Sequence, residues 1–521
     1  MKRLFILVSA ALALSPALLP AAEPAVPAHH VVVVVFDGMR PDFVSSANTP
    51  NLWKLAGEGT VFAHHHSVYL SSTEVNGTAI ATGAYPGHSS VIANTDFRPE
   101  IDPQKPVDIQ DPKVVAKGDK LSGGHYLNAP TLAEILHARG YGTAIAGSKD
   151  VAILHDRAPR ENTPGVSPVV YAGETLPAAV ADSLVQTLGA FPSVPKNTPK
   201  AQQDAWTARA LVGTLWKNGI PPYSLLWLAE PDYTQHAEGP GSDQAITAIK
   251  NSDIQLGLVL AEIEKRGLSD TTDILVVSDH GFSTIGRKVD VATQLSIAGF
   301  ASKRAALGGL KTGEVLVIGE GGSSLFYIGG HDANTRQRLV SYLQQQDWTG
   351  VIFSHEADKG TFPLAEAHID STQAPDLVVS YRWSQDKSAN GTPGLHTSDL
   401  AESSPKKGNH ASLSPFDMHN TLIAAGPDFR RGIVDTLPSA NTDLTPTILW
   451  ILGLKDEAAQ LDGRVLGEAL SGESPPLRSY DLKRITARRE NADTTWTQYL
   501  QISEVNGVRY LDEGNGAVAG K

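Results

Sequence analysis

Six short, well-separated stretches of the 521-residue chain carry residue types that could do chemistry together. Asp37 ends the run VVVVVFD, Thr73 sits in SSTEVNG, and Asn94 closes VIAN. Asp232 and His236 belong to EPDYTQH, Asp279 and His280 to VVSDHG, and His410 to GNH. Five of the six supply a carboxylate, hydroxyl or imidazole of the kind zinc prefers. Asp232 and His236 are one helical turn apart, so both can face one ion. Asp279 and His280 are adjacent and converge only where a strand stops and the chain turns. A carboxylate after five valines would be nearly buried, and a buried charge needs a partner, the strongest being a divalent cation. The chemistry these groups suit is hydrolysis at two metal ions.

A nucleophile is also available. Thr73 follows an extended run and opens a helical segment, so its hydroxyl meets free backbone N–H groups at the positive end of a helix. Residue type and spacing leave Ser71, Ser72 and Thr78 as competitors, and a capping role as the plain structural alternative. No general base is evident beside it, so activation by a metal is expected. The triplet His64-His65-His66 tempts a metal assignment. In a strand its side chains alternate faces, so one ion cannot take all three.

These groups need elements to position them. Residues 31–36 read as a buried strand, 51–57 as helix, 61–69 as strand and 74–81 as a helix entered at Thr73. Residues 98–128, rich in Asp, Pro, Lys and Gly, read as a long loop. Helix at 130–139 and strand at 141–146 follow, then strand at 223–228, helix at 245–265 and strand at 272–278. This alternation predicts an α/β fold with a mostly parallel sheet flanked by helices. In such sheets ligands bind beyond the carboxyl ends of the strands, where Asp37 and Asp279 fall. The rhythm changes after Phe282, and 285–395 read as an inserted α+β cap subdomain with a helix at 334–345 and a turn-rich stretch at 384–394. The sheet pattern resumes at 419–425, with a helix at 445–452. The expected organisation is a catalytic domain over 30–284 and 396–475, the cap at 285–395, and a hairpin-like extension over 476–521.

With 43 Lys and Arg against 56 Asp and Glu, the net charge of -13 argues against binding nucleic-acid polymers, which needs a basic surface. Residues 1–22 read as a signal peptide: Lys2 and Arg3, an apolar run, then Ala21-Ala22. The run is short and broken by Pro16 and Pro20, which favours cleavage over anchoring. No other segment is apolar enough to span a bilayer, and with no cysteine there is neither a disulfide nor a lipidation site. A periplasmic or secreted bacterial enzyme with no membrane attachment after cleavage is expected. Oligomeric state is not legible.

The stretches resemble the alkaline phosphatase superfamily, and within it the type I phosphodiesterase/nucleotide pyrophosphatase branch. The resemblance rests on Thr73, Asn76 and the run Thr82-Gly83-Ala84-Tyr85-Pro86, together with the metal-type residues, and covers most of 30–300 and 405–470. It implies that Thr73 is the nucleophile, forming a phospho-threonine. It further implies one ion held by Asp37, Thr73, Asp279 and His280 and a second by Asp232, His236 and His410. Asn94 would contact a phosphoryl oxygen. Mixed His and carboxylate donors favour zinc for both ions.

The pattern departs from the family at Glu74 and Val75, where diesterases carry bulky apolar residues. A related branch of threonine-based phosphatases carries Lys-Asp-Arg; here Lys149-Asp150-Val151 keeps the Lys but has no Arg. Lacking that fork, the site is expected to prefer diesters or pyrophosphates, with monoesters as the alternative. On this reading Lys149 binds substrate, and an Arg at position 151 would favour monoesters. A sulfatase is excluded by the missing Cys and by the context of Ser71-Ser72-Thr73-Glu74. A secreted binding protein on a decayed hydrolase scaffold would have lost a ligand or the nucleophile, and none is missing.

Overall fold

The computed structural model describes residues 29–157, 168–195, 198–400 and 405–520; the signal-peptide expectation lies outside them. A nine-stranded sheet forms the centre. From one edge to the other, its strands are Ile433–Ala440, Thr60–His66, Leu422–Ala425, Thr272–Val277, His30–Phe36, Tyr223–Leu228, Thr143–Gly147, Val169–Tyr171 and Glu174–Leu176. Leu422–Ala425 and the edge strand Glu174–Leu176 run against the others, which are parallel.

The valine run shows why the sheet forms. Val31, Val33 and Val35 join one apolar core and Val32 and Val34 the other, all fully buried. A strand covered on both faces reads as a continuous apolar run instead of an alternating one. The helix Asp243–Lys265 packs on one face, and the buried helix Thr73–Thr82 packs on the other. Among the described residues no helix is long and apolar enough to cross a membrane.

Residues 283–289 and 393–399 form two strands that pair with each other in parallel. Between them, strands over 302–381 make a six-stranded sheet of their own, flanked by the helices Val291–Ile297 and Ala333–Leu343. The tail is a three-stranded antiparallel meander of Tyr480–Glu490, Thr494–Val505 and Val508–Gly520. It is pinned to the six-stranded sheet where the Gln498 amide bonds both backbone groups of Ile352.

Three local expectations change. Within 98–128 there is a helix, Pro112–Ser122, capped by Asp111, which accepts from the Lys113 N–H at 2.8 Å. Only Val115 and Gly118 are buried along it, which hid its period. The turn-rich stretch at 384–394 holds part of a hairpin, Trp383–Lys387 against Pro393–Asp399. A register irregularity between Phe62 and His64 breaks the alternation, so His65 and His66 are both buried. They are held by Ser439 and Asn441, and none of His64–His66 joins a metal-type cluster.

Burial pushes His65 and His155 down to about 3. Both are therefore neutral when folded but gain protons near 6.5 when unfolded. Their stabilising contribution is complete above that value and is lost as pH falls toward 3. Each adds a slope of up to about 1.4 kcal/mol per pH unit in that window. His155 lies edge-on against Trp227, with Nε2 unbonded. His155→Phe is expected to flatten acid destabilisation by about one proton, as measured by denaturant titrations across the window.

Candidate active site

The carboxyl ends of the parallel strands collect the chemistry. Asp37 directly follows His30–Phe36, Lys149 lies just beyond Thr143–Gly147, Asp232 follows Tyr223–Leu228, and Asp279-His280 follow Thr272–Val277. Thr73 is the first residue of its helix, reached from Thr60–His66 through the turn 67–72. Asn76 shapes that turn. Its Nδ2 donates to the carbonyls of Val68, Leu70 and Ser72, and its Oδ1 accepts from the Val68 N–H.

Two groups of ligand-type atoms result: Asp232, His236 and His410, and Asp37, Asp232 and His280. Asp232 belongs to both. Asp279 joins the second, its Oδ2 3.3 Å from His280 Nε2. Each carboxylate has one oxygen engaged and one turned inward. Asp37 Oδ2 accepts from Trp227 Nε1 at 2.8 Å, and Asp279 Oδ1 accepts from the Gly38 N–H at 2.9 Å. Asp37 Oδ1, Asp232 Oδ1 and Asp279 Oδ2 are buried with no hydrogen-bond partner. Buried carboxylate oxygens without partners are costly, and three facing one another fit a site for cations.

The histidines are prepared in the same way. His236 Nδ1 lies 3.0 Å from the Gly408 carbonyl, His280 Nδ1 2.8 Å from that of Gly281, and His410 Nδ1 2.9 Å from that of Ser71. A carbonyl only accepts, so each Nδ1 carries the proton and each Nε2 presents its lone pair to the cluster. The rings of His280 and His410 stack at 3.7 Å. Burial, reinforced by His280 and His236, holds His410 well below the usual histidine range, so it stays neutral.

Lys149 is buried in the middle of this cluster. Its Nζ lies 2.9 Å from Asp37 Oδ2, 3.3 Å from Asp232 Oδ2 and 3.2 Å from Thr73 Oγ1. Burial opposes its charge, but Asp232 and Asp37 outweigh that and hold it well above the usual lysine range. Asp37 moves up, because burial and Asp279 outweigh Lys149. One ammonium among three carboxylates leaves the cluster short of positive charge.

Among the competing hydroxyls, Thr73 lines the open cleft of about 1200 Å³, together with Lys149, Asp232, His236, His410 and Asn94. Its Oγ1 is 3.3 Å from His280 Nε2. Ser71 donates to the Ser412 carbonyl, while Ser72 and Thr78 are buried without lining the cleft. Asn94 is held beside the helix start. Its Oδ1 accepts from the Glu74 N–H at 3.0 Å, and its own N–H donates to Glu320. Glu74 is buried, its Oε2 has no hydrogen-bond partner, and burial with Asp108 nearby pushes it up to about 8. Val151 lies fully buried, with its Cγ2 over Gly77 of the Thr73 helix. An Arg there would have to displace that packing, so Val151→Arg is no simple gain of a phosphate fork.

Two contributors escaped the sequence. Trp227 was legible only as an apolar strand residue, although its indole N–H fixes Asp37. Glu320 lies 226 residues from Asn94 and is set against it only by the fold.

Sheet, flanking helices and strand-end cluster together make an alkaline-phosphatase-like fold. The chain belongs to the type I phosphodiesterase / nucleotide pyrophosphatase family, whose model matches residues 31–394. It is 25% identical to a venom phosphodiesterase of Naja atra over 263 residues, 49% of this chain and 26% of that one. The chain thus spans about a quarter of the length of that relative. With the bis(5'-adenosyl)-triphosphatase enpp4 of Mus musculus it shares 22% identity over 443 residues, 82% of this chain and 78% of the relative. Among solved structures, phosphonoacetate hydrolase of Sinorhizobium meliloti 1021 matches with a TM-score of 0.59 at 19% identity, covering 82% of this chain and 96% of that one. Murine ectonucleotide pyrophosphatase / phosphodiesterase 5 matches with 0.54 at 17%, covering 82% and 95%.

Proposed function

We propose that this protein is a secreted hydrolase of phosphodiester or pyrophosphate bonds that works through a phospho-threonine at Thr73. The observation that carries the reading is the position of the Thr73 hydroxyl. It opens a helix in the cleft, within hydrogen-bond distance of Lys149, against carboxylate oxygens that lack partners. The names of two relatives, a phosphodiesterase and a bis(5'-adenosyl)-triphosphatase, agree with the bond type. Secretion rests on the leader at 1–22.

Asp37, Thr73, Asp279 and His280 would hold one divalent ion and Asp232, His236 and His410 the other, with zinc preferred. Bound there, such ions lower a hydroxyl pKa and neutralise phosphoryl charge. The rest falls to the chain. Thr73 passes its proton to solvent and its Oγ attacks phosphorus, the P–O bond to the leaving group breaks with that oxygen taking a proton from water, and a second water then cleaves the phospho-threonine, releasing the phosphoryl product and restoring the hydroxyl. Lys149 donates to Thr73 Oγ1 and stabilises it as its proton departs. Asn94 and the backbone at the helix start face the phosphoryl oxygens, an arrangement that gains strength in a water-poor site. Residues 98–128 and 285–395 shape the leaving-group side, as Asp108, Gln110, Lys288 and Glu320 line the cleft.

Burial of Lys149 inside the cluster favours a second reading, hydrolysis of monoesters, because it adds a positive charge for a dianion. The test compares kcat/KM for p-nitrophenyl phosphate and bis(p-nitrophenyl) phosphate on wild type and Lys149→Ala. A higher value for the diester is expected from wild type, and a loss of about 10²-fold or more in the variant. A strong monoester preference in wild type would replace the first reading with the second.

A further inference from the structure

At the opposite end of the central sheet, three side chains converge without satisfying one another. Asp273 is the second residue of the strand Thr272–Val277, whose other end leads to Asp279. Six residues of extended chain separate the two, roughly 20 Å. His29 immediately precedes the strand His30–Phe36, and Asp428 follows Leu422–Ala425 in the loop Gly426-Pro427-Asp428. One ligand-type atom from each lies within 4.8 Å of the others.

The polar bookkeeping there does not close. Asp273 is fully buried, and its Oδ2 has no hydrogen-bond partner. His29 Nδ1 and Asp428 Oδ2 have none either, although they lie 3.4 Å apart. That is about the separation of two zinc donors in a tetrahedral site. The Asp428 N–H donates to Asp273 Oδ1 at 3.1 Å, so that oxygen is engaged while Oδ2 is left without a partner. A Cβ at Gly426 would strike Asp273 Oδ1, so the loop closes directly on this carboxylate. Two facing carboxylates need either a shared proton or a cation.

We propose that His29, Asp273 and Asp428 form a divalent-cation site separate from the cleft, with the donor mixture of a zinc-class ion. His29 and Asp428 are about one-third exposed, so the site lies near the protein surface, while the atoms that face one another are buried. The ion would clamp the start of the central valine strand to the loop after Leu422–Ala425. Its consequence is stability, not turnover.

Zinc content after equilibrium dialysis is compared for wild type, His29→Gln and Asp428→Asn, with melting temperature and kcat recorded on the same samples. Each variant is expected to hold one zinc fewer than wild type and to lose the zinc-dependent part of its melting temperature, with kcat unchanged. The readout is a difference, so it stands whatever number of ions the cleft holds. Equal zinc content in all three proteins overturns the proposal. So does an Asp273→Asn variant that melts higher than wild type with its zinc content unchanged, because the carboxylates then share a proton.

Discussion

Thr73→Ala is expected to lose at least about three orders of magnitude in kcat toward bis(p-nitrophenyl) phosphate, with melting temperature nearly unchanged. The size of the loss follows from the surroundings. None of the three competing hydroxyls can take over: Ser71 is committed to the Ser412 carbonyl, and Ser72 and Thr78 are buried off the cleft. Alanine suits a helix start sterically, and the deleted side chain makes its hydrogen bonds only within the cluster. Substrate affinity should persist, because Lys149 and Asn94 remain. Incubating wild type with a slow diester and trapping the protein in acid should reveal phosphate on Thr73 by mass spectrometry. Full turnover in the variant would remove the covalent route and leave direct attack by water.

Asp232→Asn should be more damaging than loss of any single histidine. Asp232 belongs to both ligand groups and also faces Lys149. One substitution therefore removes a ligand of the second ion, alters the group beside it and deletes one of the two carboxylates in contact with a buried ammonium. His236→Ala touches one group and leaves Asp37, Asp279 and His280 intact. The expected order is a loss of about 10³-fold or more in kcat/KM for Asp232→Asn and a smaller loss, partly restored by added zinc, for His236→Ala. A chelator should silence wild type, with zinc restoring it. Metal content measured beside turnover separates the cases: undiminished activity in metal-free Asp232→Asn would defeat the two-ion reading.

How much of this was legible in the sequence depended on how local each signal was. The central strand announced itself because both its faces are covered, which removes alternation and leaves five valines. The pairing of Asp232 with His236 was legible because one helical turn is a sequence-local distance. The helix at 112–122 was not, because only two of its residues are buried and the rest are polar. The faces of His65 and His66 were misjudged because a register irregularity is set by the neighbouring strand Ile433–Ala440. Lys149 could be matched by resemblance, yet its depth in the cluster depends on where two other strands end. The anchors of the three imidazoles are backbone carbonyls, which carry no residue identity to read.

Ser283 and Thr284 pair antiparallel with Asn409 and Gly408, so the chain leaves and re-enters the main body at neighbouring points. Exchanging the intervening segment for that of another family member looks geometrically inexpensive, as a cassette swapped between two fixed terminals. Glu320 complicates that exchange, because its carboxylate, carried on the cassette, grips the backbone N–H groups of Asn94 and Thr95. A graft without this carboxylate would change not only which leaving group is admitted but also how firmly Asn94 is held.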